Sequence, residues 1–187
     1  MTSADVFTRE DIESLLDALE ARLRARGVAA SVYIVGGAAI ALRGISSDRR
    51  TGDVDALMVP EDEVLEAARE VAAERGIRPT WLNSSARPYV PPLPEEAKQP
   101  PAEPGLELHT APDEHLLAMK IIAARGQRDM RDILRLARRL QLSRAWPPWS
   151  ATCTAMRPSS TFMVVGMTCC CIAGLSSGSS ASRLDRQ

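Results

Sequence analysis

Between residues 31 and 59 the chain runs through a β-rich segment, SVYIV, a glycine pair, Gly36-Gly37, a short apolar segment, AAIALRG, and then GDVDALMV, closed by Pro60. This order constrains the fold more than any other stretch. Branched and aromatic residues at 31–35 favour a strand, and VDALMV at 54–59 reads as a second one. Alternate residues of a strand share a face. Asp53 and Asp55 therefore present two carboxylates side by side, while Val54 points into the core. Such a pair suits a hard, oxygen-seeking cation, above all Mg²⁺ carrying substrate phosphates. A diglycine at a strand end, followed by a helix, leaves backbone N–H groups open to phosphate oxygens, and the helix dipole favours the anion. Each piece also has a plainer reading. Glycine can simply supply the torsions of a tight turn, and a surface strand can carry two acids by chance. The order strand, glycine pair, helix, acidic strand favours the phosphate site.

The rest of residues 1–141 alternates helices and strands around this kernel. Thr8 begins a first helix, with Asp11 as a weaker form of the capping-box glutamate. Ile12, Leu15, Leu16, Leu19 and Leu23 repeat at helical spacing, and Gly27 ends the run. Glu61 to Arg75 is a helix with acids at its start and Arg75 near its end, as the dipole favours. Residues 79–104 hold eight of the thirteen prolines and cannot be regular throughout. A third strand is predicted at Leu106 to Thr110, then helices over about 113–125 and 129–141. The pattern is α/β or α+β, a small mixed sheet with flanking helices.

Composition divides the chain at residue 141. Residues 1–141 hold 19 basic and 23 acidic side chains and no cysteine. Of the acids, only Asp185 falls in 142–187, where Cys153, Cys169, Cys170 and Cys171 all lie. Three consecutive cysteines do not match zinc-ligand spacing. The tail shows no sustained period and ends rich in Ser and Gly, so it is expected to be frame-shifted relative to its ancestor or poorly ordered. The whole chain has a formal net charge of −1, which excludes a globally basic nucleic-acid coat protein. The acidic start MTSADVFTREDIE does not fit a signal peptide. The longest weakly apolar run, Phe162 to Leu175, is too short to span a bilayer. The expectation is a cytoplasmic protein with no membrane partner.

The segments IVGGAAIALRG and RRTGDVDALMV together resemble the nucleotidyltransferase superfamily, whose fold is that of DNA polymerase beta. The spacing Arg49-x-Thr51-x-Asp53-x-Asp55 is similar to that of bacterial AbiEii/MenT-type nucleotidyltransferase toxins. HLLAMKIIAARGQRDMRDILRL resembles their next motif, a lysine-bearing helix followed by R-D-x-x-D, and Trp81-Leu82-Asn83 is similar to a segment of relatives. The resemblance covers about 31–141 and implies a minimal nucleotidyltransferase fold. It implies that Asp53 and Asp55 hold two Mg²⁺ ions, with Mn²⁺ an alternative. Gly36 and Gly37 would cradle the NTP, joined by Arg49 and Thr51, and Lys120 would meet its charge. Lys120 also reads as a lysine whose stem snorkels along apolar surface. Asp132 is favoured as third carboxylate over Asp129, which could instead cap a helix, and over Glu107 on the third strand. Thr51 is either an ordinary strand threonine or, as in some members of the group, a target of an antitoxin kinase.

Arg128, Arg131, Arg135, Arg138 and Arg139 recur at spacings of three and four. They would share a face opposite a stripe of Met130, Ile133, Leu134, Ala137 and Leu140. Such a face either tracks a phosphate backbone or is simply solvated. His109 and His115 lack partners at metal spacing. By resemblance, the activity is NMP transfer from an NTP to the 3′ end of tRNA, in a type IV-like toxin–antitoxin pair with a cognate antitoxin protein. Two rival readings are a transferase acting on a small molecule, such as an aminoglycoside, or on a protein, and a degenerate nucleotide-binding module without catalysis.

Overall fold

The computed structural model describes residues 6–123 and 127–142, which lie in one compact unit within Met1–Arg144. The cysteines and the tail from residue 143 onward lie outside the described residues. Helix α1 (Arg9–Ala25) starts on the expected capping box. The Thr8 hydroxyl accepts from the Asp11 N–H, and the Asp11 carboxylate accepts from the Thr8 N–H. These reciprocal bonds satisfy donors that a helix start leaves orphaned. Strand β1 (Ala29–Ile34) follows, then α2 (Gly36–Leu42), β2 (Val54–Val59) and α3 (Glu61–Arg75), which ends on Gly76 in the left-handed region, φ 66°.

The proline-rich stretch is shaped rather than featureless. It contains a two-residue strand, β3 (Leu82–Asn83), and short 3₁₀ turns at Arg87–Tyr89 and Glu95–Lys98. β3 went unread in the sequence because two residues carry no period. The strand expected third is therefore the fourth, β4 (Gly105–Thr110), followed by α4 (Asp113–Ala123) and α5 (Gln127–Arg139).

The four strands form one mixed sheet in the order β3-β2-β1-β4. β1 pairs antiparallel with β2 and parallel with β4, while β2 pairs parallel with β3. Along β2, Val54, Ala56 and Met58 are buried, and Asp55, Leu57 and Val59 on the other face are only half-buried. Helices α1 and α3 pack on each other and against the sheet. Their outer seam is laced by ion pairs from Arg22 and Arg26 to Glu66, Glu70 and Glu74. Trp81 is fully buried and donates its indole N–H to the Ala68 carbonyl at 2.9 Å, fixing β3 beside α3. α4 packs on α5 and on α2, which brings the C-terminal helices to the glycine end of the sheet.

The face of α5 differs from the expected one. Leu134 is exposed, whereas Asp129, Asp132, Ile133 and Leu136 are buried. Counting apolar residues alone set the helix phase wrongly, because two of the inward positions are aspartates held by ion pairs. No helix among the described residues is long and apolar enough to cross a membrane.

Candidate active site

The glycine pair does not precede the helix but forms its first turn, with Gly36 at φ 64°. α2 has only seven residues, so the close approach of its backbone matters more here than its dipole. A side chain at Gly36 would place Cβ 3.3 Å from Asp55 Oδ2. One at Gly37 would stand 2.8 Å from both Arg49 Nη2 and Thr51 Oγ1. Both glycines thus let Asp55, Arg49 and Thr51 pack against the α2 backbone where β-carbons would crowd them.

Beside them lies a cleft of about 830 Å³, a usual size for small-molecule sites. Gly36, Gly37, Arg49, Thr51, Asp53, Asp55, Lys120 and Asp129 all line it. They come from α2, the loop before β2, β2 itself, α4 and α5, so tertiary packing is needed to assemble them. Arg78 donates to the Gly52 carbonyl and ties down the loop just before Asp53.

Lys120 is clasped from behind. Its Nζ lies 2.7 Å from Asp129 Oδ1 and 3.2 Å from Asp132 Oδ2, and Arg49 Nη1 donates to that same Asp132 oxygen at 2.7 Å. Asp132 is 1% exposed and does not line the cleft, whereas Asp129 does. Of the three candidates for a third acid, Asp129 is thus nearest the open space, and Asp132 supports the two cations. Glu107 is elsewhere. It pairs in register with Ser31, which pairs with Val59, so it lies level with the far end of β2 from Asp55. Four residues of strand is about 13 Å, too far for a shared ion.

In ionised form, Arg49 and Lys120 balance Asp129 and Asp132. Along the cleft itself the acids Asp53, Asp55 and Asp129 outnumber the cations Arg49 and Lys120, a surplus of negative charge that would repel a bare triphosphate and attract one accompanied by divalent cations. Among the described residues no group of three or more His, Cys, Asp or Glu forms a metal cage. Mg²⁺ does not need one, since it commonly binds through one or two carboxylates plus waters and substrate phosphates. The hard oxygens of Asp53 and Asp55, beside the glycine-lined space, fit that ion.

Thr51 is buried, bridged through its backbone to Phe7. The arginine face is smaller than the spacing implied. Arg135 donates to Ser46 and lies 3.6 Å from Asp48, and Arg139 donates to Asp113 at 2.7 Å. The Asp48 carboxyl is held below its ordinary range chiefly by the Ser46 hydroxyl, with Arg135 adding to the effect. Arg131 and Arg138 are exposed, and the Arg128 side chain lies outside the described residues. His115 is engaged with the Tyr33 hydroxyl at 3.1 Å, away from the cleft.

Sequence reasoning missed part of the cleft lining, Ser85, Ala86, Tyr89, Leu116, Met119 and Ile122. For α4 the signal was available, since positions 116, 119 and 123 share a helical face with Lys120 at its shoulder. For 85–89 the only cue was Asn83-Ser84-Ser85, a turn-forming run within irregular sequence. Comparison of the chain with models of known protein families, with curated proteins and with solved structures gave no match.

Proposed function

We propose that this chain is a metal-dependent nucleotidyltransferase of the AbiEii/MenT type, moving NMP from an NTP to an acceptor hydroxyl with release of pyrophosphate. One observation carries the reading: a single cleft gathers the glycine pair, both aspartates of the D-x-D and Lys120 from separate stretches of the chain. Asp53 and Asp55 would hold two Mg²⁺ ions or, alternatively, Mn²⁺. When bound, such ions lower the pKa of an attacking hydroxyl and neutralise the leaving pyrophosphate. Gly36 and Gly37 line the cleft and bring Arg49, Thr51 and Asp55 close to the α2 backbone, where the NTP phosphates would bind. Lys120, aimed by Asp129 and Asp132, offers a compact positive charge to the triphosphate. Arg49 holds Asp132 in place and reaches the cleft beside Thr51.

For the acceptor, the sequence resemblance favours the 3′ end of tRNA and a toxin role opposed by a cognate antitoxin. The engagement of Arg135 and Arg139 by acids favours a second reading, a small-molecule or protein acceptor that needs no extended basic face. Labelled NTPs, Mg²⁺ and tRNA, incubated with the full chain, test the first reading. Transfer is expected for the wild type and should fall at least 1,000-fold in Asp53→Ala, about 4 kcal/mol of transition-state stabilisation. Transfer to a small acceptor but not to tRNA would select the second reading. Equal activity in Asp53→Ala would remove both.

A further inference from the structure

The cleft is lined by groups of two kinds. Its polar lining includes Asp53, Asp55, Lys120 and Ser85, and its apolar lining includes Ala86, Tyr89, Met119 and Ile122. On α4, at 100° per residue, Ile122 and Lys120 fall on opposite shoulders of the face carrying Leu116, Met119 and Ala123. The helix thus presents one apolar shoulder and one charged shoulder to the cleft.

Tyr89 is exceptional among the described aromatic residues. Phe7, Tyr33 and Trp81 are buried, whereas Tyr89 is 59% exposed. Ile122, from another element lining the same cleft, is 52% exposed. The turn that carries Tyr89 is nevertheless pinned. Asn83 Oδ1 accepts from the Ser85 N–H at 2.9 Å, the Arg87 N–H donates to Ser84, and the Tyr89 N–H donates to Ala86. Arg87 is further tied to Glu61 at the start of α3. Holding a large aromatic ring in water on a fixed turn loses burial without gaining chain entropy. A flat ligand face would recover that burial, because aromatic rings and nucleobases stack face to face.

From this geometry we infer that Tyr89 is the platform for the nucleobase of the bound nucleotide, with Met119 and Ile122 completing an apolar slot beside the phosphate-binding end. The inference rests on the nucleotidyltransferase reading and adds to it where the base lies. Stacking tolerates every base, so the slot binds all four NTPs, with preference set by groups at its rim.

The test is calorimetric binding to the full chain in Mg²⁺, with an NTP and inorganic tripolyphosphate as separate probes. Tyr89→Ala should weaken NTP binding about tenfold or more and leave tripolyphosphate binding unchanged. Tyr89→Phe should bind the NTP within about twofold of wild type, since the ring rather than the hydroxyl does the stacking. Unaltered NTP affinity in Tyr89→Ala would overturn the inference alone. So would an equal loss for both probes, which would mark the residue as phosphate-directed or structural. A wild type that binds neither probe would remove the nucleotidyltransferase reading, and the inference with it.

Discussion

Asp132 accepts from Arg49 at 2.7 Å and faces Lys120 at 3.2 Å, and all three side chains are nearly out of water. Deleting one member of a buried ion network leaves the others desolvated and uncompensated, which typically costs about 3–5 kcal/mol. Asp132→Ala should therefore lower stability by about that amount, read from the midpoint of urea unfolding. Asp53 stands at the open cleft instead, and Asp53→Ala should lower stability by less than about 1 kcal/mol. Near-equal stability losses in the two variants would mean that the Arg49–Asp132–Lys120 cluster does not hold the site together. The two acids thus differ in kind although both occur in short acidic motifs. One is kept where ligand can meet it, and the other keeps cations in place.

Between elements, Asp113 joins three helices. It sits in the first turn of α4 and accepts from Arg43, just past α2, at 3.0 Å and from Arg139, at the end of α5, at 2.7 Å. Burial pushes its carboxyl upward, but the bonds from Arg139 and Arg43 outweigh that and leave it below the ordinary carboxylate range. A carboxyl depressed on folding contributes stability that is complete above its unfolded value, about 3.9. That contribution is lost as pH falls toward and through the lowered native value. Urea midpoints measured from pH 5 to pH 2.5 should fall less steeply in Asp113→Asn than in the wild type; identical slopes would rule out this linkage. The same scale shows what was legible in sequence. α1, β2 and α3 were readable because each carries its own period and its own start or stop residues. The phase of α5 was not, because Asp129 and Asp132 are buried by partners on α4 and on the loop before β2. The glycine pair and the D-x-D were visible as local patterns. The Tyr89 end of the cleft was not, because its membership depends on where β3 and α4 are packed.

Over the whole molecule, charge is nearly balanced, so any affinity for a polyanion must come from local surface. α5 carries the densest run of arginines, yet packing divides them into two sets. Arg135 and Arg139 pair with Asp48 and Asp113, and Arg131 and Arg138, exposed like Arg139, form the second set. Arginines that contact phosphates release condensed counterions, and each accounts for a slope of roughly 0.7–0.9 in log affinity against log salt. If tRNA is the acceptor, the double variant Arg131→Ala, Arg138→Ala should lower that slope by about 1.4–1.8 and leave the melting temperature unchanged. Arg135→Ala with Arg139→Ala should do the reverse, lowering the melting temperature while keeping most of the salt dependence. Filter binding of tRNA from 50 to 200 mM salt, run beside thermal melts of each variant, separates the two sets. A larger slope change from the acid-paired set would show that those ion pairs open to meet RNA, and the basic face would then be the broader one that the spacing alone suggested.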